Sequence, residues 1–382
     1  MRPFYRLFLI FGILAACCAC RGGRNADHVS DGGDTLRMKY AERIVIVRHE
    51  GYTEVTLKNP WKEGKVLHRY VLVGTDDDEL ASQLTHRGTL VRVPLRRAAV
   101  FTTVHASLIM ELKQKQRIAA VADLKYMQQP WIHEQVAQGN IVDCGDGLSP
   151  MVEKIIDAQA DAVLLSPFEN SGGYGRLEEI GIPLIECAEY METSPLARAE
   201  WMRFYGMLFG CEQAADSLFA TVDSCYTALA TAARNSQKHP SVLMDKQTGS
   251  VWYVPGGRST MGQMLRDAGA SYPFADNDRS GSLALPFETV LEKAGNADVW
   301  LLRYDADQPL TLEQLGKEQR GYSQLRPMRE KNVYGCNVRT SHFYEEAPFR
   351  PDLLLQDIIQ ILHHGSEEKQ SLRYYHKVET HP

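Results

Sequence analysis

The 382-residue chain is poor in the signatures that would commit it to chemistry. Cys17, Cys18 and Cys20 cluster at the N-terminus, and the five cysteines beyond it (Cys144, Cys187, Cys211, Cys225 and Cys336) are odd in number, widely scattered and without a CxxC pair. That argues against a zinc ribbon, a redox motif or a disulfide framework. There is no GxSxG elbow, no GxxxxGK[ST] phosphate loop and no GxGxxG after a strand; "PGGRSTMG" from Pro255 is Gly-rich but lacks the required Lys. HxxxH and HExxH pairs are absent too, so direct zinc binding ranks low and no resident metal or cofactor is expected. Basic charge is also short: 42 Lys and Arg stand against 48 Asp and Glu, a formal net charge of −6, which argues against a nucleic-acid partner and against adhesion through a basic surface.

Long apolar runs are equally scarce. The single candidate lies at the N-terminus, where Arg2 and Arg6 precede "LFLIFGIL" from Leu7 to Leu14 and then Leu14-Ala15-Ala16-Cys17. This run is well short of the roughly 20 residues a membrane span needs. It resembles a bacterial lipoprotein signal with its lipobox, in which residues 1–16 would be removed and Cys17 would carry the lipid. Loss of Arg2 and Arg6 would bring the charge to −8. Residues 17–40 are Gly-rich and polar, as a flexible tether should be, and Arg21 and Arg24 ahead of Asp27 favour an anchor facing the periplasm.

With 44% hydrophobic and 24% charged residues the chain has a globular composition, and its length suggests two domains. Strand-like runs at Arg43–Val47, Thr53–Leu57 and Val66–Val73, the last two separated by an Asn59-Pro60 turn, form a β-rich opening. A strand ending near Phe101 turns through Thr102 and Thr103 into a helix, and strands at 117–123, 161–168 and 182–190 then alternate with helices. Such alternation implies βαβ units and a mainly parallel sheet. Ser194 and Pro195 start a helical midpoint in which Phe204, Leu208, Cys211, Ala215, Leu218, Val222, Cys225 and Leu229 recur at spacings of four and three. Gly210 should divide it, leaving a helix from about Glu212 to Asn235, roughly 36 Å at 1.5 Å per residue, long enough to join two lobes. This spacing also places Cys211 and Cys225 in the core. Strand and helix alternation resumes beyond Pro240.

The expected organisation is therefore an N-terminal lobe over 41–193, linking helices over 194–236, a C-terminal lobe over 237–366 and a tail over 367–382. One unit occurs in each lobe: "SPMVEKIIDAQADAVLL" from Ser149 and "LPFETVLEKAGNADVWLL" from Leu285. Each has Pro before a short helix, a Glu (Glu153, Glu288) in its first turn, and Ala-Asp before a buried strand.

The order of lipobox, "TTVHASLIMEL", the first repeat, "GIPLIE", long helix, "GGRSTMGQMLRDAGA" and the second repeat resembles the iron-complex and vitamin B12 periplasmic substrate-binding proteins of ABC importers, across nearly all of residues 90–365. Two departures stand out: Arg43 to about Arg92 is an extension, and ten residues separate Glu288 from Asp298 against eight from Glu153 to Asp161. The resemblance implies an α/β fold of two Rossmann-like lobes with mainly parallel sheets joined by a long rigid helix, the class III periplasmic-binding-protein fold. It also implies a ligand in the cleft, no catalysis, and delivery to an ABC permease dimer with its ATPase. By the same resemblance Glu153 and Glu288 dock onto permease arginines; carboxylates at helix N-termini stay ionised and pair well with Arg, although the helix dipole alone also favours Glu there.

Ligand residues are sought at strand ends. In the first lobe these are Thr103, His105, Tyr126, Trp131, Phe168, Asn170 and Tyr174. In the second they are Trp252, Arg258, Ser259, Arg303, Tyr304, Arg339 and His342. Aromatic faces with Arg suit a flat or bulky chelate: a ferric siderophore or haem, with cobalamin next. His105 and His342 could ligate haem iron or cobalt, or simply hydrogen-bond at a helix start. The competing readings are a chelatase-like or other metal-tetrapyrrole enzyme of similar two-lobed shape, against which a lipid anchor argues, and an adhesion lipoprotein, which would show β-sandwich repeats instead.

Overall fold

The structure, a computed structural model, describes residues 32–169, 173–364 and 371–381. The proposed leader, Cys17, most of the tether and Asn170 lie outside the described residues. Among the described residues no helix is long and apolar enough to cross a membrane.

Among the described residues four sheets are laid out around one helical crosspiece. The first contains β1 (Asp34–Leu36), β2 (Ile44–Arg48), β3 (Tyr52–Lys58), β4 (Val66–Gly74) and β5 (Thr89–Val93) in sequential order. Its first four strands are antiparallel, and β5 returns parallel to β4 through the Asp78–Leu84 helix. The β-rich opening is thus a sheet of its own, and the run read as one strand ending near Phe101 is two strands. Pro94 and Leu95 separate β5 from β6 (Ala98–Val100), which belongs to the next sheet. A proline has no N–H to continue a ladder, so the chain can leave one sheet here and enter another.

The second sheet is wholly parallel, ordered β10-β9-β6-β7-β8, with β7 at Ile118–Val121, β8 at Val142–Asp143, β9 at Ala162–Leu165 and β10 at Leu184–Glu186. Every residue of β6, β7 and β9 is buried, as expected for strands covered by helices on both faces. The second lobe pairs β11 (Val242–Met244), β15 (Val299–Tyr304) and β16 (Val333–Asn337) in parallel, with β17 (His376–Lys377) antiparallel at the edge. Beside it lies an antiparallel sheet of β12 (Gln247–Thr248), β13 (Val251–Pro255) and β14 (Ser282–Leu285).

The crosspiece begins where Ser194 caps the Pro195–Glu200 helix by accepting from the Ala197 N–H. After Met202–Phe209 the chain stops at Gly210, whose φ of 66° suits glycine, and restarts as the 23-residue Glu212–Arg234 helix, roughly 35 Å long. Its buried stripe is Ala215, Phe219, Val222, Tyr226, Ala230 and Ala233. Ala215 and Val222 hold their expected places, while Phe219, Tyr226 and Ala230 take the fully buried positions next to Leu218, Cys225 and Leu229; Leu218 and Leu229 remain partly buried against the core, and Cys225 is exposed rather than core. Among the described residues all five cysteines are free.

Two buried carboxylates lock the extra sheet onto this crosspiece. Glu200, fully buried, accepts the backbone N–H groups of Lys39, Tyr40 and Ala41 at 2.7, 2.7 and 2.8 Å. Glu192 accepts from the backbone of Glu42 and Arg43 and from Trp201 Nε1. Tyr40 adds a 2.6 Å bond from its hydroxyl to Asp223 on the long helix.

Candidate functional site

The C-terminal ends of the parallel strands from both lobes meet across a cleft. On the first-lobe side β6 runs into Phe101 and Thr102, whose hydroxyl accepts from the His105 N–H to start the Thr103–Glu111 helix. β7 turns through Asp123, left-handed at φ 53°, into Tyr126. The loop after β8 is drawn against that turn: the Asp123 N–H donates to the Gly145 carbonyl at 2.7 Å, and a Cβ on Gly147 would stand 2.6 Å from the Asp123 carboxylate. A side chain at this position would have to push the Asp123 carboxylate aside. The result is a concavity of about 570 Å³ lined by Phe101, Asp123, Leu148, Phe168 and Tyr174. Leu148 and Phe168 on its wall are 82% and 47% exposed, and Tyr126 just beyond it is 64% exposed. Apolar surface gathered at one concave place marks a binding site.

On the second-lobe side Asp245, at the end of β11, holds Arg303 through bonds of 2.8 and 2.6 Å. Burial alone would lower the Arg303 pKa, but the Asp245 charge and hydrogen bonds outweigh it and raise it. Arg339, following β16, donates to Asp305 at 2.5 Å and to Asp307, and the Asp305 hydrogen bond leads in raising its pKa. The lobes touch where Gln128 Nε2 donates to the Val338 carbonyl at 2.7 Å, and where the Thr103 hydroxyl donates to Glu345 at 3.0 Å. The first contact sets the Tyr126 turn beside the Arg339 loop. A second cavity of about 430 Å³ also lies between the lobes, lined by Met110, Trp131, His342, Glu345, Arg350 and Arg373 among others.

The residues expected at the site therefore divide. Phe168 and Tyr174 line the first concavity, with Tyr126 just beyond it; Arg339 belongs to the opposing loops, and Trp131 and His342 to the second cavity, with Thr103 between. Trp131 is not a loop residue; it is half-buried in the first turn of the Pro130–Ala137 helix. Trp252 is neither loop nor exposed: it is fully buried within β13, donates from Nε1 to the Met244 carbonyl at 3.0 Å, and packs with Phe287, Trp300 and Tyr322. Tyr304 is buried and bonded to His376 and Leu310. Ser259 is spent capping the Thr260–Asp267 helix. Arg258 is exposed beside Asp278. His105 is fully buried 3.5 Å from Glu189, away from solvent, so it is not placed to meet a ligand. Among the described residues no cluster of His, Cys, Asp or Glu could hold a metal ion.

The two repeats do form equivalent structures: Val152–Asp157 leads into β9 and Phe287–Ala294 into β15, with Glu153 and Glu288 exposed in the first turns. The two extra residues of the second copy lengthen its helix. Glu153 has its pKa lowered, first by its own backbone N–H and then by Arg176 at 2.6 Å. Leu148, Asp123, Gln128 and Glu345 were missed by sequence reasoning. The Gly-Asp-Gly after "IVDC" was the available signal for the first.

Two α/β lobes with opposed strand ends, joined through a helical crosspiece, define a ligand-capturing protein of the class III type. The chain belongs to the periplasmic binding protein family, whose profile matches residues 98–340, more than half its length, and it is a binding protein and not an enzyme. Two uncharacterized lipoproteins of Methanocaldococcus jannaschii are each 23% identical to it, over 88% and 89% of this chain and 84% and 86% of their own. Among solved structures, a periplasmic heme binding protein from Pseudomonas aeruginosa matches with a TM-score of 0.58 at 14% identity, covering 75% of this chain and 99% of that one. An ABC-type Fe3+-hydroxamate transport protein from Saccharomonospora viridis matches with a TM-score of 0.53 at 21% identity, covering 72% and 94%. These likenesses speak for the fold.

Proposed function

We propose that this chain is a lipid-anchored binding protein that captures a bulky metal chelate between its lobes and hands it to an ABC permease dimer with its ATPase. The observation that carries this reading is the concavity at the strand ends of the first lobe, with Leu148, Phe168 and nearby Tyr126 exposed and the Arg339 loop adjoining through Gln128 and Val338. Aromatic and aliphatic surface would bury the organic body of the ligand, and Arg339 would exchange a carboxylate for an acidic edge of the chelate. A ferric siderophore or haem fits best, with cobalamin next; the metal arrives as cargo inside its chelator. Anchoring through Cys17 would hold the protein at the periplasmic face of a membrane, and Glu153 and Glu288 would meet the permease.

Purified protein mixed with haem, cobalamin and a ferric hydroxamate, followed by tryptophan quenching and absorbance, tests the reading. Saturable binding of one chelate, weakened by Phe168→Ala, is expected. Failure of all three to bind would overturn the metal-chelate reading.

A further inference from the structure

The extra sheet reaches the ligand cavity through one carboxylate. β10 is an edge strand of the parallel sheet, and an edge leaves N–H and C=O groups unpaired. Here Tyr70 of β4 takes the place of a neighbouring strand: its buried hydroxyl donates to the Leu184 carbonyl and accepts the Glu186 N–H, both at 2.9 Å. His68, two residues earlier on the same face of β4, stacks on Tyr70 with ring centroids 4.3 Å apart. Its Nδ1 donates to Glu186 Oε2 at 2.8 Å, while Nε2 lies 2.8 Å from the Thr89 hydroxyl on β5. The other oxygen of Glu186 accepts the hydroxyl of Tyr174 at 2.7 Å, and Tyr174 lines the 570 Å³ concavity.

We propose that His68 and Glu186 are positioning residues that fix Tyr174 in the cavity wall, so that the N-terminal sheet helps to decide which chelate is accepted. This rests on the reading of that concavity as the ligand site. Glu186 is buried, so its two oxygens are each committed to one donor, and a carboxylate so held fixes the phenol that bonds to it. Tyr174 follows a loop of the first lobe, but the groups that determine where its hydroxyl points come from β10 and from β4 of a different sheet. A rigid phenol in a cavity wall discriminates by shape and by a directed hydrogen bond, and a hydrogen-bonding site rejects ligands that leave it unpaired.

The test compares His68→Phe, His68→Gln, Glu186→Gln, Tyr174→Phe and Phe168→Ala. Affinities for haem, cobalamin and ferric desferrioxamine are measured, together with hydrogen exchange over residues 173–180 in the free protein. His68→Phe, which keeps the ring stack but loses both hydrogen bonds, and Glu186→Gln should change the ratio of affinities among the chelates by roughly tenfold, the usual worth of a hydrogen bond to a charged group. Both should speed exchange at 173–180. His68→Gln, which can still donate, should restore both readouts, and adding His68→Phe to Tyr174→Phe should change the ratio no further. If His68→Phe weakens all chelates equally or none, and exchange at 173–180 is unchanged while Phe168→Ala still weakens binding, the positioning role is overturned and the pocket reading survives. Wild-type affinity in Phe168→Ala would overturn the pocket reading, and the positioning role with it.

Discussion

Asp298 Oδ2 lies 2.7 Å from both the backbone nitrogen and the hydroxyl of Ser241, so the residue that opens β15 clasps the residue that precedes β11. Asp161 stands in the same relation to the first lobe: it opens β9 and accepts the N–H groups of Arg96 and Arg97 just before β6. The Ala-Asp of the repeated unit thus staples two adjacent parallel strands at the end of each sheet opposite the ligand.

Asp298→Asn should reveal that staple through pH. Burial pushes the Asp298 pKa up, but hydrogen bonds from Ser241 and the charge of Arg326 outweigh it and lower the pKa. A carboxyl whose folded pKa lies below its unfolded one stabilises fully above the unfolded value, near 3.9, and loses that stabilisation as pH falls through the folded value. The side chain is 40% exposed, so solvent screening limits the effect to about 1 kcal/mol. Urea midpoints of wild type and variant should differ at pH 7 and converge below about pH 4.

Charge reversal at Glu153 and Glu288 together should abolish chelate uptake in cells and leave affinity in solution unchanged. Both side chains are exposed, and of the two, among the described residues, Glu153 is ion-paired, to Arg176. Arg176→Ala should therefore leave uptake intact or raise it, because a competing cation is removed. Normal uptake by the double reversal would sink the docking assignment.

Glu200→Ala should release the N-terminal sheet. The substitution leaves three backbone N–H groups without their acceptor, and a loss of about 2–4 kcal/mol follows if only part of that cost is recovered by water. Glu200→Gln, which keeps one accepting oxygen, should lose less. Limited proteolysis near Lys39, read beside the urea midpoint, checks the order.

Trp252→Ala should damage the fold and spare the ligand. A fully buried Trp exchanged for Ala costs about 3–5 kcal/mol, and the indole here also gives up its bond to Met244. Chelate affinity measured by absorbance should match wild type at a temperature where the variant remains folded. A large drop in affinity at full native signal would return Trp252 to the ligand site.

Much of the architecture was legible because local rules carry it. Ser194 and Pro195 announce a helix start, Gly210 a break, and all-apolar runs such as Ile118–Val121 a strand covered on both faces. The site was harder to read. Trp252 and Phe168 are both aromatics close to turn-forming residues, yet one is fully buried and the other is exposed on the cavity wall. Which it is depends on which sheet the strand joins, and pairing between distant strands leaves no mark at either residue. The N-terminal sheet shows the same limit: β2, β3 and β4 were visible, but β1 lies in the stretch read as a flexible tether, and the parallel return of β5 to β4 needs the intervening Asp78–Leu84 helix to pack, a tertiary event.

By itself the sequence determined the two lobes, the helical crosspiece between them and the pair of exposed acidic helix starts. Periodicity, capping and glycine placement act over a few residues, and the repeat supplied the rest. Only the tertiary structure decided which aromatics meet the cleft, that Asp161 and Asp298 staple strands together, and that His68 reaches Tyr174 through Glu186. Those relationships join residues more than fifty positions apart, where burial and hydrogen-bond geometry are set by packing and not by neighbours in the chain.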